Sequence, residues 1–574
     1  MPGWAKLALV TVSLAVLFRP GIQYHWERTK NPYFVPYDAV QYVPPFFKFD
    51  PNDPIPTTYV KEYYLNALCP LLYKWLSRMG AQLGDVRHFQ LGMMYLAYIA
   101  FVGISGRVGW VLGGAALSFA VMAFTLTAPV FFVLGFLGGS PRMYAYPLIS
   151  LVLYSLIRDR PYLLAVTVVL GGLLYPLTAI IGGLSVVCWM LLRPLSCQGV
   201  VAGWRPPRRL VTVGLTGFLS IAAVAPLLLG AEPYGPRVDE ADVAMYPEVG
   251  PEGGYRPFDR LPYKLFGGEW IYYYIGPMFG HGDPIVSWFN VQRMLDFKNV
   301  TFLLAGMGVV VLVVILGGIR TVLKEDQGGV GIRLISFFVI CGALHVMAWL
   351  AAPYLYIPTR YLMYALPFLI TLMFPWSLYV LVGRVPRLQS SAKLRDVAFL
   401  AIVCFYLMVF GGTGNAKLLE FSVEKSSRPL FDAIAALPND VVIAGWPLGH
   451  MQKVEYVTRR NVFVTADLHQ LLHLAFVKAM HERMDALFEA YLSTDAAPLH
   501  RLRQEFGVTH LLVETRHFTE PVNALGYYAP WNDRIPPRLA EIKGKEYLMN
   551  GSLYQKAAVF DQNGLILLDL SKLP

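Results

Sequence analysis

Asp38 is the first residue in this sequence whose type and surroundings suggest chemistry. It lies shortly after an apolar N-terminal segment, among the aromatic residues Phe34, Tyr37, Tyr42, Phe46 and Phe47. Aromatic neighbours desolvate a carboxylate and offer flat faces for a sugar ring. Such a carboxylate can take the proton of a hydroxyl group as that hydroxyl attacks an anomeric carbon. We therefore predict that Asp38 is a general base and that Tyr37 and Tyr42 contact a sugar or an acceptor.

Three more carboxylates, Asp50, Asp53 and Glu62, follow in the same segment and are rival candidates for the base. We also consider Glu62 as a sugar or acceptor contact. The alternative interpretation is that all four acidic residues are solvated turn or cap residues. That interpretation suits Asp50-Pro-Asn-Asp53-Pro best, because Asp and Pro are typical of turns.

Two arginines are placed to bind an anion at a membrane surface. Arg142 lies in Ser140-Pro-Arg-Met-Tyr-Ala-Tyr-Pro147 and Arg360 in Tyr354-Leu-Tyr-Ile-Pro-Thr-Arg-Tyr361, each next to an apolar run. A guanidinium matches the oxygens of a phosphate, so we predict that both bind the phosphate of a lipid-linked donor, with Tyr361 as a further sugar or acceptor contact. The alternative is that both arginines anchor helix ends at the membrane interface.

The composition indicates a membrane protein. Hydrophobic residues make up 56% of the 574 residues and charged residues only 15%, whereas a soluble domain carries roughly 25% charged residues. A membrane-spanning helix needs about 20 mostly apolar residues. About eleven segments meet this requirement, if the run 161–193 is divided at Pro176 into two short passes: 4–19, 88–105, 109–126, 141–157, 161–175, 176–193, 210–230, 299–319, 334–352, 361–382 and 397–412.

The charges between these segments predict the orientation, because Lys and Arg in short loops mark the cytoplasmic side. One side collects most of them: Arg107, Arg158, Arg160, Arg193, Arg205, Arg208, Arg209, Arg320, Lys324, Arg333, Arg384, Arg387, Lys393 and Arg395. The N-terminus is then cytoplasmic, and the loops 20–87 and 231–298 lie outside with the tail 413–574. We retain 4–19 as a helix, since Phe18-Arg19-Pro20 is no signal-peptidase site. The prediction is a multi-pass protein of a bacterial inner membrane.

The predicted transmembrane domain spans residues 1–412, and the tail 413–574 has the pattern of a small extracytoplasmic α/β domain. Strands are predicted at 441–444, 462–465 and 510–514, and helices near 428–437, 470–492 and 498–506. In the first outer loop, 31–46 is too rich in Pro and aromatic residues for regular structure. Apolar residues at helical spacing predict one interfacial helix over 59–79.

Other classes of site find little support. The net charge of +10 is spread in short clusters between apolar runs, so we predict no nucleic-acid partner. His469 and His473 are four residues apart, but no His-Glu-x-x-His glutamate and no cysteine accompanies them, so we predict no metal site and no soluble cofactor. His345 within a span is interpreted as a packing residue.

Taken together, these features resemble the GT-C superfamily of membrane glycosyltransferases. The resemblance rests on the number of spans, the long first outer loop with Asp38 and the outer tail. It also rests on Ser140-Pro-Arg142, on Tyr356-Ile-Pro-Thr-Arg-Tyr361 and, in the tail, on 437–445, 459–464 and 506–513. The better-known members carry a paired acidic motif in the first loop, whereas Asp38 stands between Tyr37 and Ala39.

The resemblance implies sugar transfer from a polyprenyl-phosphate donor, with inversion at the anomeric carbon, and a fold with about eleven transmembrane helices and an extracytoplasmic α/β domain. The lipid bilayer and the polyprenyl-phosphate sugar would be its partners. Two alternatives stay open. The single acid in the first loop also fits a non-catalytic scaffold subunit of a membrane complex, and a transporter of lipid-linked saccharides is the other.

Overall fold

The computed structural model describes residues 19–128, 131, 135–136, 138–196, 206–250, 313–318, 320, 330–351, 360–410, 422–470, 472–519, 525–543 and 552–573. The predicted span 4–19 lies outside these residues except for its last position. Most of the predicted span 299–319 and the outer loop beyond residue 250 also lie outside them.

Apolar helices make up most of the N-terminal part of the chain. Those that correspond to predicted spans are Val86–Thr127, Ala145–Ile157, Pro161–Leu174, Pro176–Ser196, Pro206–Ala231, Val330–Leu350, Ala365–Val382 and Ala392–Phe410, with shorter helices at Arg360–Met363 and Pro386–Gln389. Among the described residues, three helices are long and apolar enough to cross a membrane: Val86–Thr127, Val213–Tyr234 and Arg360–Val382. The chain is a membrane protein with mostly helical structure, and the count of eleven crossings stays a prediction.

The longest of these elements, Val86–Thr127, is a hairpin of two antiparallel helices. Its backbone leaves the helical conformation at Gly113 and Gly114, where φ reaches 76°. Across the hairpin, the Ser118 hydroxyl donates to the Gly106 carbonyl at 2.8 Å. The two predicted spans are therefore its two arms, but the turn lies at 113–114 and not at 106–108. Glycine permits the positive φ that this reversal requires.

The first outer loop is built from short helices. They are Arg19–Thr29, Ala39–Tyr42, a 3₁₀ helix Pro44–Phe49, Tyr59–Tyr63, a π-helix Tyr64–Leu68 and Leu71–Leu83. The prediction that 31–46 lacks regular structure holds for 31–38 and is wrong from Ala39 onwards, because prolines are tolerated in the first turn of a helix. The predicted single helix over 59–79 is also wrong, since the chain breaks before Leu71 at Pro70. Trp75 and Leu83 remain 59% and 74% exposed, which suits a helix at a membrane interface.

The tail forms the predicted α/β domain around one mixed sheet. Its strands are β1 (Val442–Gly445), β2 (Asn461–Val462), β3 (His510–Glu514), β4 (Ala558–Gln562) and β5 (Leu565–Asp569). They lie in the order β2-β1-β3-β5-β4. Strands β2, β1 and β3 are parallel, while β5 is antiparallel to β3 and to β4. The last two strands escaped the sequence prediction. The helices are Arg428–Ala435, Met451–Thr458, Leu474–Tyr491, Ala497–Phe506, Arg516–Thr519, Trp531–Ile542 and Ser552–Ala557, with 3₁₀ turns at Lys425–Ser427 and Leu570–Lys572.

The tail packs on the first outer loop through buried polar and aromatic contacts. Lys61 forms an ion pair with Glu455 at 2.7 Å, with both side chains almost fully buried. The ring of Tyr63 stacks on Phe476 with centroids 3.7 Å apart. A buried ion pair is stable only when its two charged groups are well aligned. These contacts therefore fix one arrangement of the tail on the first outer loop.

Arg459 is the centre of a second ionic contact between the tail and the loop. Its guanidinium lies 2.9 Å from Asp50, 3.3 Å from Asp53 and 3.2 Å from Asp85. Burial alone would raise the pKa of Asp85, but the hydrogen bonds and charge of Arg87, with the charge of Arg459, outweigh it and hold that pKa at about 2. Asp50 is 3% exposed. The Asp50 side chain accepts the backbone N–H of Asn52, as the turn interpretation predicted. Asp50 and Asp53 also pair with Arg459, so both serve the interface between tail and loop.

We expect Arg459→Ala to destabilise the junction between tail and loop by about 3 kcal/mol, because the buried Asp50 carboxylate loses its cation. The measurement is the thermal unfolding midpoint of the detergent-solubilised protein, with protease cleavage of the first loop as a second readout. Arg501→Ala is the control, because Arg501 pairs with Glu489 and Glu505 on an exposed helix face. Equal midpoints for the two variants would contradict this role of Arg459.

Candidate functional site

Asp38 is buried at the junction of the helices and the tail. It precedes the short helix Ala39–Tyr42 and is 1% exposed. Nη1 of Arg142 lies 2.9 Å from its Oδ2. The alternative that Asp38 is a solvated turn residue is therefore wrong, since a carboxylate is buried only when its charge is compensated. The structure thus brings together two of the residues singled out in the sequence.

The segment that carries Arg142 is pressed against the segment that carries Asp38. Gly138 and Gly139 have positive φ values of 62° and 107°. A Cβ at Gly138 would collide with the side chain of Pro36, and one at Gly139 would lie 2.9 Å from Gln90. Only glycine permits both this backbone and this close approach. Pro141–Tyr144 then forms a 3₁₀ turn that leads into the helix Ala145–Ile157.

Several buried polar atoms of this site lack a hydrogen-bond partner. Within the described residues, they are Oδ2 of Asp38, Nε of Arg142, Oγ of Ser140 and the hydroxyl of Tyr144. Oδ2 of Asp38 is close to Arg142 but receives no well-aligned hydrogen bond. Buried polar groups are nearly always satisfied. Three unsatisfied atoms between Ser140 and Tyr144, together with Oδ2 of Asp38, therefore make this a candidate site for a ligand or a water molecule.

Arg360 lies within electrostatic reach of Arg142. It begins the helix Arg360–Met363 and is 7% exposed. The hydroxyl of Tyr364, which feels the charge of both arginines, accepts a hydrogen bond from Tyr175 at 3.2 Å. A snorkelling anchor would end in water, whereas Arg360 is buried and Arg142 is only 19% exposed. Two guanidiniums and one carboxylate leave an excess positive charge that suits an anion.

The other predicted contacts are divided between this site and its surroundings. Tyr37 is partly buried; burial raises the pKa of its hydroxyl, and the charges of Asp467 and Asp38 raise it further. Tyr42 packs edge-on against Tyr64 at 5.8 Å. Tyr361 is 2% exposed and feels the charge of Arg237.

Glu62 and the two histidines belong to other surroundings. Glu62 lies on the helix Tyr59–Tyr63, and its charge interacts electrostatically with the hydroxyl of Tyr234. His469 contacts the Tyr527 hydroxyl at 3.0 Å and His473 contacts the Tyr63 hydroxyl at 2.9 Å. In the part of the chain that the structure describes, no group of three or more His, Cys, Asp or Glu residues could hold a metal ion.

Asp467 is a second carboxylate near Asp38 that the sequence analysis missed. It follows β2 in the tail and is 9% exposed. The Gln452 amide donates to its Oδ2 at 2.7 Å, and Gln41 also hydrogen-bonds its side chain. Its signal in the sequence was its position just after the predicted strand 462–465, since ligand sites of α/β domains lie at the carboxyl ends of strands.

Comparisons with known proteins show which solved structures share this fold. No protein-family model matches the sequence, and no curated protein matches it. Among solved structures, the archaeal oligosaccharyltransferase AglB of Archaeoglobus fulgidus, in complex with an inhibitory peptide and a dolichol-phosphate, matches with a TM-score of 0.50. It is 9% identical, over 90% of this chain and 70% of that chain.

ArnT of Cupriavidus metallidurans also matches. The structure bound to undecaprenyl phosphate is 12% identical over 99% of this chain and 98% of that chain, with a TM-score of 0.41. The apo structure is 14% identical over 100% and 99%, also at 0.41. At 9% identity the AglB match shows the fold alone: this chain has the fold of that oligosaccharyltransferase, which agrees with the fold that the predicted resemblance implies.

Proposed function

We propose that this protein is a membrane glycosyltransferase that moves a sugar from a polyprenyl-phosphate donor to an acceptor on the extracytoplasmic face of the membrane. The observation that carries the proposal is the buried Asp38 carboxylate, 2.9 Å from Arg142, with Arg360 within electrostatic reach of that arginine. A base can take the proton of the attacking hydroxyl, and two cations can stabilise the departing phosphate, in a displacement at an anomeric carbon.

Asp38 is the general base of this reaction. Its Oδ2 has no well-aligned hydrogen-bond donor among the described residues, so it has a lone pair free to take a proton. As the acceptor hydroxyl attacks the anomeric carbon, its proton passes to Asp38 and a new carbon–oxygen bond forms. The bond from the anomeric carbon to the phosphate oxygen breaks on the opposite side, and the sugar inverts. The product is the glycosylated acceptor with a polyprenyl phosphate.

Arg142 and Arg360 stabilise the negative charge that collects on the departing phosphate. The Nε donor of Arg142 is buried and has no partner among the described residues, which leaves one edge of the guanidinium available while Nη1 faces Asp38. Donors that are already in position need no reorganisation during the reaction, and this is the main source of such stabilisation. Arg142 would therefore touch the base and the leaving group at once.

The positions of the charges support an extracytoplasmic site in a bacterial inner membrane. Arg142 and Arg360 precede the helices Ala145–Ile157 and Ala365–Val382, while Arg158 and Arg384 follow the same two helices. Arg158, Arg384 and their neighbours are the charges that mark the cytoplasmic side in the sequence. The site and the tail then belong to the outer side, where the acceptor would be met.

The test is transfer of radiolabel from a panel of polyprenyl-phosphate hexoses and pentoses into membranes that contain the protein. Membranes from the same host without the protein are the control. We expect label from one of the donors to be incorporated into membranes that contain the protein and not into the control membranes. Correctly folded protein that transfers no label from any donor would contradict the proposal, and a non-catalytic scaffold would then be the better account.

A further inference from the structure

The loop that carries Asp467 is held by hydrogen bonds from the first outer loop and from the tail. The Tyr64 hydroxyl, from the first outer loop, donates to the Asp467 carbonyl at 2.8 Å. The Tyr528 hydroxyl, from the tail, donates to the preceding Ala466 carbonyl at 3.2 Å. Loops at the carboxyl ends of parallel strands are the usual place for ligand groups in α/β domains. The tail therefore presents Asp467 to the membrane domain in one position.

The side chain of Asp467 is held by amides and by no cation. Gln452 donates from the tail, and Gln41 hydrogen-bonds it from the short helix that Asp38 begins. The described residues contain no ion pair to Asp467. The titratable groups that interact electrostatically with Asp467 are Asp38, Tyr37, Tyr527 and Tyr528. Two carboxylates near one another without a shared cation cost stability, and such an arrangement is typical of functional sites.

Aromatic rings lie next to this carboxylate. Tyr527 and Tyr528 stack with centroids 4.3 Å apart and an angle of 22° between the rings. The ring of His469 is inclined by 23° to Tyr527. Tyr37 lies where both carboxylates act on its hydroxyl. A carboxylate and amides that accept and donate hydrogen bonds, together with flat apolar faces, match a molecule that has many hydroxyl groups on a ring.

We propose that Asp467 binds a hydroxyl group of the acceptor and that the acceptor is itself a saccharide, held between the tail and the Asp38 segment. This inference rests on the proposed function. Asp38 takes the proton of the attacking hydroxyl, while Asp467 accepts a hydrogen bond from a different hydroxyl and so orients the acceptor. The second acid that the first loop lacks is in this way supplied by the tail.

Asp467 is expected to reduce the stability of the folded protein at neutral pH, as a residue kept for binding and not for the fold would. Burial raises the pKa of Asp467 to about 6; the hydrogen bonds of Gln452 and Gln41 oppose this, and the charge of Asp38 adds to it. The folded state then binds the proton more tightly than the unfolded chain does. The contribution of this group to stability is therefore largest below about pH 4 and is lost as the pH rises past about 6.

The experiment compares wild type, Asp467→Asn and the exposed control Asp440→Asn with the labelled donor that the wild type uses. An extract of native membranes in a dilution series supplies the acceptor. We expect Asp467→Asn to need about 10 to 100 times more extract for half-maximal transfer, since a hydrogen bond to a charged group is lost. The same variant should unfold at a higher temperature than wild type at pH 7.5 and keep the wild-type thermal shift with undecaprenyl phosphate.

The pH dependence of transfer is a further readout, and three results would overturn the inference. The wild-type transfer rate should rise with pH around 6, and Asp467→Asn should lose that rise. If the wild type transfers sugar and Asp467→Asn needs the same amount of extract for half-maximal transfer, this inference is overturned and the proposed function is not. A product whose label is bound to an amino-acid side chain would overturn the saccharide acceptor. Wild-type protein that transfers from no donor would overturn both this inference and the proposed function. Gln452→Leu removes one amide donor and should show a smaller rise in the extract required.

Discussion

Asp38→Asn is expected to lower the rate of sugar transfer by about 10²- to 10⁴-fold, because an amide cannot take the proton of the attacking hydroxyl. The substitution keeps the shape of the side chain, and Asn fits the buried position at the start of the helix Ala39–Tyr42. The measurement is label transferred per folded molecule at saturating donor. Binding of undecaprenyl phosphate, followed by its thermal shift, should be retained or strengthened, since Arg142 and Arg360 then face no competing carboxylate.

Asp50→Asn is the matched control for this experiment. Asp50 is also a buried aspartate of the first outer loop with an arginine partner, which is Arg459 at 2.9 Å. We expect this variant to unfold at a lower temperature and to transfer sugar at the wild-type rate per folded molecule. Equal losses of activity in the two variants would mean that Asp38 serves the fold and not the chemistry.

Arg142→Gln is expected to weaken the binding of undecaprenyl phosphate by about 10- to 100-fold, because a charged hydrogen bond to a phosphate contributes about 1.5 to 3 kcal/mol. Transfer should fall further than binding, because the negative charge on phosphate is greatest as the bond breaks. The substitution also leaves the buried Asp38 carboxylate without its cation, so a lower unfolding temperature is expected. A titration with undecaprenyl phosphate in detergent, followed by thermal shift, measures the binding.

Arg142→Lys separates the effect on the ligand from the effect on the fold. Lysine keeps the charge beside Asp38 but offers no planar fork to a phosphate. Its unfolding temperature should be near that of the wild type, while its affinity for undecaprenyl phosphate should stay reduced. Arg387→Gln, at an exposed position near the opposite end of the helices, is the control and should bind the lipid as the wild type does. Wild-type affinity in Arg142→Lys and in Arg142→Gln would refute the assignment of Arg142 to the donor phosphate.

The amino-acid sequence was sufficient to predict the class of protein. Runs of apolar residues and the scarcity of charge indicate a membrane protein whatever the details of packing, because lipid imposes a simple requirement on composition. The alternation of short strands and helices in the tail was likewise enough to predict an α/β domain. Strand β3 was predicted at its observed bounds, His510–Glu514, since a short apolar run there lies between turn residues.

Two elements were mispredicted because a local break in the helical pattern was overlooked, and two strands were missed because they depend on pairing between segments. The break at Pro70 divides a segment that has helical spacing throughout, because proline lacks the donor that a continuous helix requires. The turn of the first helical hairpin lies at Gly113 and Gly114, and the positive φ of Gly114 allows the reversal. Strands β4 and β5 pair with each other and with β3, and such pairing is invisible in a single short segment.

The site itself was predicted in its parts and not in its assembly. Asp38, Arg142 and Arg360 were recognisable from their types and from their places beside apolar runs, but more than 300 residues of chain lie between the first and the last of them. Only the tertiary structure brings Nη1 of Arg142 to 2.9 Å from Asp38. It also assigns Asp50 and Asp53 to Arg459 and brings Asp467 from the tail towards Asp38. Composition is a property of each segment, whereas an ion pair or a binding site depends on distances between segments, and these exist only after the chain has folded.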